Sequence, residues 1–151
     1  MVVIGIDPGV NGGIAVIYGD TNVTSFKMPE TERDISDCFR EVSDYAQLEN
    51  ENVIVYLEKV HSMPGQGVVS TFTFGQNYGL LRGILITLGF AIYDVTPQKW
   101  QKELGISKSE SKTIHKNKLK GLAQQWFPDQ KVTLKNADAL LIAKYGINQI
   151  K

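Results

Sequence analysis

The run Val2–Asp7 constrains the fold more than any other stretch of the chain. Val2, Val3, Ile4 and Ile6 are apolar at consecutive as well as alternate positions, and the run closes on Asp7-Pro8-Gly9. Apolar residues on both faces of a strand mean a strand covered on both sides, in the middle of a sheet. Pro-Gly directly after it is turn chemistry. Gly12–Tyr18 and Asn22–Lys27 follow with a short Gly19-Asp20-Thr21 turn between them, so the first three strands are predicted to form an antiparallel meander. The segment 34–48 carries apolar residues at Ile35, Phe39, Val42, Tyr45 and Ala46, a helical spacing. Asn52–Leu57 reads as a second buried strand, ending at Glu58. A long helix is predicted over Ser70–Leu88, stopped by Gly89, and Phe90–Val95 is a fifth strand. Pro97 opens a short helix through Leu104. Ser109-Glu110 begins a lysine-rich helix that ends before Pro128, and Lys135–Ile147 is the last helix. The predicted architecture is α/β: one domain over residues 1–151, with a five-stranded mixed sheet, three antiparallel strands then parallel ones, flanked by helices.

Composition narrows the class. With 151 residues, 42% of them apolar and 21% charged, the chain has the size and balance of a globular domain, which buries roughly 70% of its unfolded surface. No apolar run approaches the ~20 residues of a membrane span. The start lacks the basic segment and small-residue cleavage site of a signal peptide. A single cysteine, Cys38, cannot form an internal disulfide, so a cytoplasmic location is expected. Net charge is zero, yet the charge is unevenly spread. Residues 30–58 hold nine acids against Arg33 and Arg40, whereas residues 97–120 hold seven lysines against Glu103 and Glu110. The second stretch is either a solvated helix face or a local surface for phosphate backbone.

Three acids stand out. Asp7 and Glu58 close two strands predicted to be central, and sites in α/β sheets gather at the carboxyl ends of such strands. Taken singly, Asp7 reads as a turn residue and Glu58 as a solvated strand end. Taken together, two close carboxylates repel unless a cation or a proton joins them. Oxygen ligands with no His or Cys cluster favour a hard ion such as Mg²⁺ or Mn²⁺. Asp138 lies in Asn136-Ala137-Asp138-Ala139-Leu140-Leu141-Ile142-Ala143, a helix apolar nearly all round and therefore buried. An acid there needs a metal, a basic partner or the positive end of the helix dipole.

Together these residues carry a resemblance. Ile4-Gly5-Ile6-Asp7-Pro8-Gly9, Tyr56-Leu57-Glu58-Lys59-Val60 and Ala137-Asp138-Ala139-Leu140 stand in the order and on the elements found in the RuvC family of Holliday-junction resolvases, and the chain looks most like the compact versions carried by bacteriophages. The likeness covers nearly the whole chain. It implies a ribonuclease H-like fold, a homodimer paired through the helix around Ser70–Leu88, and paired symmetric cuts at four-way and other branched DNA by a Mg²⁺-dependent endonuclease, with Mn²⁺ able to substitute. It implies Asp7, Glu58 and Asp138 as catalytic metal ligands, and Lys99 and Lys112 as bases approaching the cut phosphate, Lys112 with a catalytic part. Lys108, Lys116 and Lys118 would extend that DNA-binding surface, with Lys120 sharing a helix face with 112 and 116. His61 stands where relatives carry an aromatic that wedges into the junction, and an imidazole can also stack on a base. A bacteriophage source would place the protein in the cytoplasm of a bacterial host.

One departure is visible. Where the family places a fourth ligand, about one helical turn before Asp138, this chain has Lys135, and an ammonium repels a cation. Lys135 then either weakens a second metal or touches the scissile phosphate itself. Three other functions follow from different readings: branched-DNA binding with weak or no cleavage, motivated by Lys135; nucleotide hydrolysis, which needs two such domains around ATP; and a purely structural dimer, which leaves Asp138 unexplained. No membrane and no nucleotide cofactor are expected.

Overall fold

Val2–Asp7 (β1) is buried along its length up to a partly exposed Asp7. The computed structural model describes residues 1–19, 22–61 and 65–150. Residues 20–21 of the predicted turn, and 62–64 of the predicted loop after Glu58, lie outside them. β2 (Gly13–Tyr18) pairs antiparallel with β1, and β3 (Asn22–Lys27) pairs antiparallel with β2. β4 (Val53–Glu58) lies parallel on the other side of β1, and β5 (Ala91–Val95) lies parallel to β4. The sheet order is β3-β2-β1-β4-β5. This is the predicted mixed sheet, with β1 in its middle.

Alternation along the strands splits the core into two layers. Val2, Ile4 and Ile6 of β1 and Val55 and Leu57 of β4 pack under α1 (Glu32–Leu48) and α2 (Val68–Thr87), against Phe39, Leu81 and Leu85. Val3, Tyr56 and Val95 face the other way, toward α3 (Pro97–Glu103), α4 (Lys112–Trp126) and α5 (Ala137–Ile150), against Trp100, Leu119, Leu140 and Leu141. Among the described residues no helix is long and apolar enough to cross a membrane. Cys38 on α1 is partly buried, and burial pushes its thiol up to about 12, so it stays protonated and inert at neutral pH.

Helix ends follow their caps. α1 starts two residues before its predicted start because the Thr31 hydroxyl accepts from the Asp34 amide at 3.0 Å. α2 stops where Gly89 takes φ +74°. α5 starts later than predicted, at Ala137, leaving Lys135 and Asn136 in the preceding turn. The cause is Asn136. Its buried amide accepts from the Thr133 amide at 2.7 Å and donates to Ser25 Oγ and the Lys131 carbonyl, each at 3.1 Å. That network holds the turn and prevents helical geometry from extending back through it.

Gly5 sets how α5 sits. A methyl group at Gly5 would strike the Ala139 carbonyl oxygen and the Ala143 amide nitrogen, both backbone atoms of α5. Only glycine lets the helix lie directly on the central strand. From there α5 runs back along β1, with Gly146 against Val3 and the Tyr56 ring. Its first turn therefore lies at the end of the sheet where β1 and β4 finish.

Candidate active site

Parallel pairing places Ile6 beside Leu57, so Asp7 and Glu58 leave the sheet from adjacent strands at the same edge. α5 adds Asp138 in its first turn. The three carboxylates feel one another. Burial pushes Asp7 well above the usual carboxylate range, and the charges of Glu58 and Asp138 push it further. Glu58 is raised to about 7 by burial, with a hydrogen bond from Trp100 pulling down and Asp138 pushing up. Asp138 is raised by burial and pulled back by Lys116. Three largely desolvated acids, with Glu58 and Asp138 raising Asp7 and Asp138 raising Glu58, form a site short of positive charge.

The chain supplies part of that charge itself. Lys116 Nζ stands 3.5 Å from Asp138 Oδ2, and its charge also lowers Asp7 and Glu58. The donor set, three carboxylates without thiol or imidazole, fits a hard divalent cation. Among the described residues, no three His, Cys, Asp or Glu side chains close into a metal-holding group. Bare carboxylates hold apart, so a bound cation would have to draw these three together and compete with Lys116 for Asp138.

The walls are fixed by the Asp7-Pro8-Gly9 turn. Gly9 sits at φ +98°, beyond the reach of ordinary side chains, and its amide donates to Asn77 Oδ1 of α2 at 2.7 Å. The Phe74 ring lies over the same glycine. Beside the turn opens a cleft of about 500 Å³ that takes in Asp7, His61, Ser70, Thr73, Phe74 and Lys116. His61 is exposed at its rim.

The predicted basic residues separate into groups. Lys112, Lys116 and Lys120 are exposed along α4, one turn apart. Lys118 is tied to Ser107, donating to its hydroxyl at 2.8 Å and its carbonyl at 3.1 Å, and so pins the loop that carries exposed Lys108. Lys99 lines a different groove with Tyr56, Tyr93 and Tyr145. Lys135 lies in the turn before α5. It is exposed, and Glu30, held below the usual range chiefly by Lys27, also feels its charge. The lysine whose charge acts on all three acids is Lys116.

Two residues at the site escaped the sequence reading. Trp100 is fully buried, and its Nε1 donates to Glu58 Oε2 at 2.7 Å. Asn77 holds the Asp7 turn. The lone tryptophan of the proline-opened helix was the signal available for the first. Nothing local marked the second.

No family model matches the chain. It is 29% identical over 98 residues to the chloroplastic Holliday junction resolvase MOC1 of Chlamydomonas reinhardtii, a match covering 61% of this chain and 11% of that protein. The chain thus spans about a tenth of the length of that relative. Along its whole length it superposes on T. thermophilus RuvC in complex with a Holliday junction substrate, with TM-score 0.62 and 17% identity over 100% of this chain and 97% of the other. A second Thermus thermophilus RuvC structure gives TM-score 0.57 and 16% identity over 99% and 96%. The chain has the RuvC fold. The RuvC comparison covers β1, β4 and α5 alike, the three elements from which the acids project.

Proposed function

We propose that the chain is a RuvC-type resolvase: a structure-selective endonuclease that cuts four-way junctions, and other branched DNA, by metal-dependent phosphodiester hydrolysis in paired symmetric cuts. The observation that carries this reading is the electrostatic convergence of Asp7, Glu58 and Asp138 at one end of a RuvC-fold sheet. The likeness to the chloroplastic resolvase supports the same substrate.

Asp7, Glu58 and Asp138 are the residues that would hold Mg²⁺ or Mn²⁺. Bound there, the ion would supply Lewis acidity at the scissile phosphate. The protein's own groups do the rest. Lys116, released from Asp138, and Lys112 one turn before it present ammonium groups to phosphate, while Lys120, Lys108 and Lys118 continue the surface. His61, at the cleft rim, offers a ring for stacking on a base. Lys99 would meet DNA only where the duplex reaches round to the tyrosine-lined groove.

A homodimer through α2 is supported by its two unlike faces. Leu81 and Leu85 pack into the core, whereas Val68, Phe72 and Ile86 are 85%, 67% and 63% exposed. Gly75, Gly79 and Gly83 lie on the exposed side with open space beyond them, a profile a second helix could approach closely. Two-fold pairing would present two sites to a two-fold-symmetric junction.

The test is cleavage of a labelled four-way junction in Mg²⁺ and in Mn²⁺, beside Asp7→Asn. Paired cuts are expected, with loss of at least about a thousandfold in the variant, the scale of several kcal/mol of charge stabilisation. Retained cutting by Asp7→Asn would overturn the site. The second reading, junction binding without cleavage, is favoured by the Lys116–Asp138 pair, which occupies one ligand. Binding without cutting in either metal would establish it.

A further inference from the structure

We propose that Trp100 is a positioning residue for Glu58, fixing one carboxylate oxygen so that the other is left for the cation. The proposal rests on the metal-dependent reading above.

The chain builds this contact over a short path. Val95 ends β5 on the rung beside Glu58. Thr96 caps the next helix, its hydroxyl accepting from the Lys99 amide at 3.3 Å, and Pro97 sets the first turn. One turn in, Trp100 is carried back over the sheet end, where its indole N–H meets Glu58 Oε2 at 2.7 Å.

Three features separate this from ordinary packing. Glu58 has one more rotatable bond than an aspartate, so a glutamate ligand on a rigid strand needs an external hold. Trp100 is 0% exposed and Glu58 8% exposed, so bulk water has little access to either group. The indole N–H is donor only, and leaving it unpaired in the core is costly. Each group therefore keeps the other in place. A hydrophobic filler would satisfy the volume, but only a donor restrains the oxygen. Hydrogen bonds that orient metal ligands from behind commonly govern affinity.

The chain has two tryptophans, so Trp126→Phe leaves Trp100 as the sole tryptophan, excited at the red edge where tyrosine does not absorb. Mn²⁺ is titrated into this parent, without DNA, and followed by calorimetry and by Trp100 fluorescence. The comparison proteins carry Trp100→Phe, or benzothienylalanine at position 100, which keeps the bicyclic shape and lacks the N–H. Mn²⁺ is expected to perturb Trp100 emission in the parent. Both replacements are expected to weaken Mn²⁺ binding by roughly ten- to a hundredfold. The isostere should stay folded, melting in chelator only a few degrees below the parent for the one buried hydrogen bond lost, and keep its metal-free junction affinity, while cleavage at limiting Mn²⁺ falls. Equal Mn²⁺ affinity in the isostere and the parent overturns the proposal alone. Absence of Mn²⁺ uptake by the parent overturns the metal reading, and the proposal with it.

Discussion

Without a cation, the fold must hold three largely desolvated carboxyls, Asp7, Glu58 and Asp138, at one end of the sheet. All three have proton affinities raised by burial, so the folded state binds their protons more tightly than the unfolded chain does. Such groups contribute stability that is complete below their unfolded values and is lost as pH rises through the folded ones. For Glu58 the window runs from the ordinary 4.5 to about 7, which corresponds to about 3 kcal/mol at 1.36 kcal/mol per unit. Melting in chelator is therefore expected to fall between pH 5 and pH 8, and Mg²⁺ at pH 8 to restore most of the loss. A melting temperature flat across that range would contradict the burial of the three acids. Lys116 has the opposite effect, since its charge favours the ionised acids. Lys116→Met should cost about 0.5–1 kcal/mol at pH 8, as befits a half-exposed ion pair. That is a drop of roughly 1–4 °C in a domain of this size, and it should shrink as pH falls and the acids take up protons.

Among the elements, α2 carries the proposed dimer face and α5 the third acid of the site. Gly79 on the exposed face of α2 has room for any side chain in the isolated subunit, so Gly79→Glu should leave the fold intact and, on the proposed α2 pairing, shift light scattering from dimer to monomer. A dimer that survived would move the interface elsewhere. The sequence exposed the existence and order of these helices because periodicity and caps are local signals. It did not reveal which side of α2 would be covered, because Phe72, Phe74, Tyr78, Leu81, Leu85 and Leu88 make the helix apolar in several directions. Phe72 faces solvent, while Phe74 lies over Gly9. Asp7 and Glu58 were legible as strand ends and Asp138 as an acid in an apolar helix. The start of α5 was placed two residues early because the Asn136 amide reaches Ser25, 111 residues away in sequence, and no window of sequence displays such a bond. Trp100 was missed for the same reason, with 42 residues between it and Glu58.

For the whole molecule, the sheet separates charge. The acidic stretch includes α1 on one face, and the lysine-rich stretch forms α3 and α4 on the other, so a neutral protein presents a positive side to a polyanion. Lys112→Ala with Lys120→Ala is expected to weaken junction binding almost independently of sequence, and to reduce the slope of log affinity against log salt by about one for each phosphate no longer neutralised. An unchanged slope would remove α4 from the DNA surface. The seating of α5 on Gly5 also has a consequence in time. Asp7 and Asp138 are separated by about 130 residues of chain, and closing so long a loop is costly until the native packing around it rewards it. The backbone hydrogen bonds of the basic helix α4 are local, although Leu119 and Ala123 pack in the same core layer as α5. During refolding from denaturant, helical signal and DNA retention should therefore recover first, and cutting activity last, when the helix finally settles against the strand. A refolding chain would pass through a stage in which it holds a junction it is not yet able to sever.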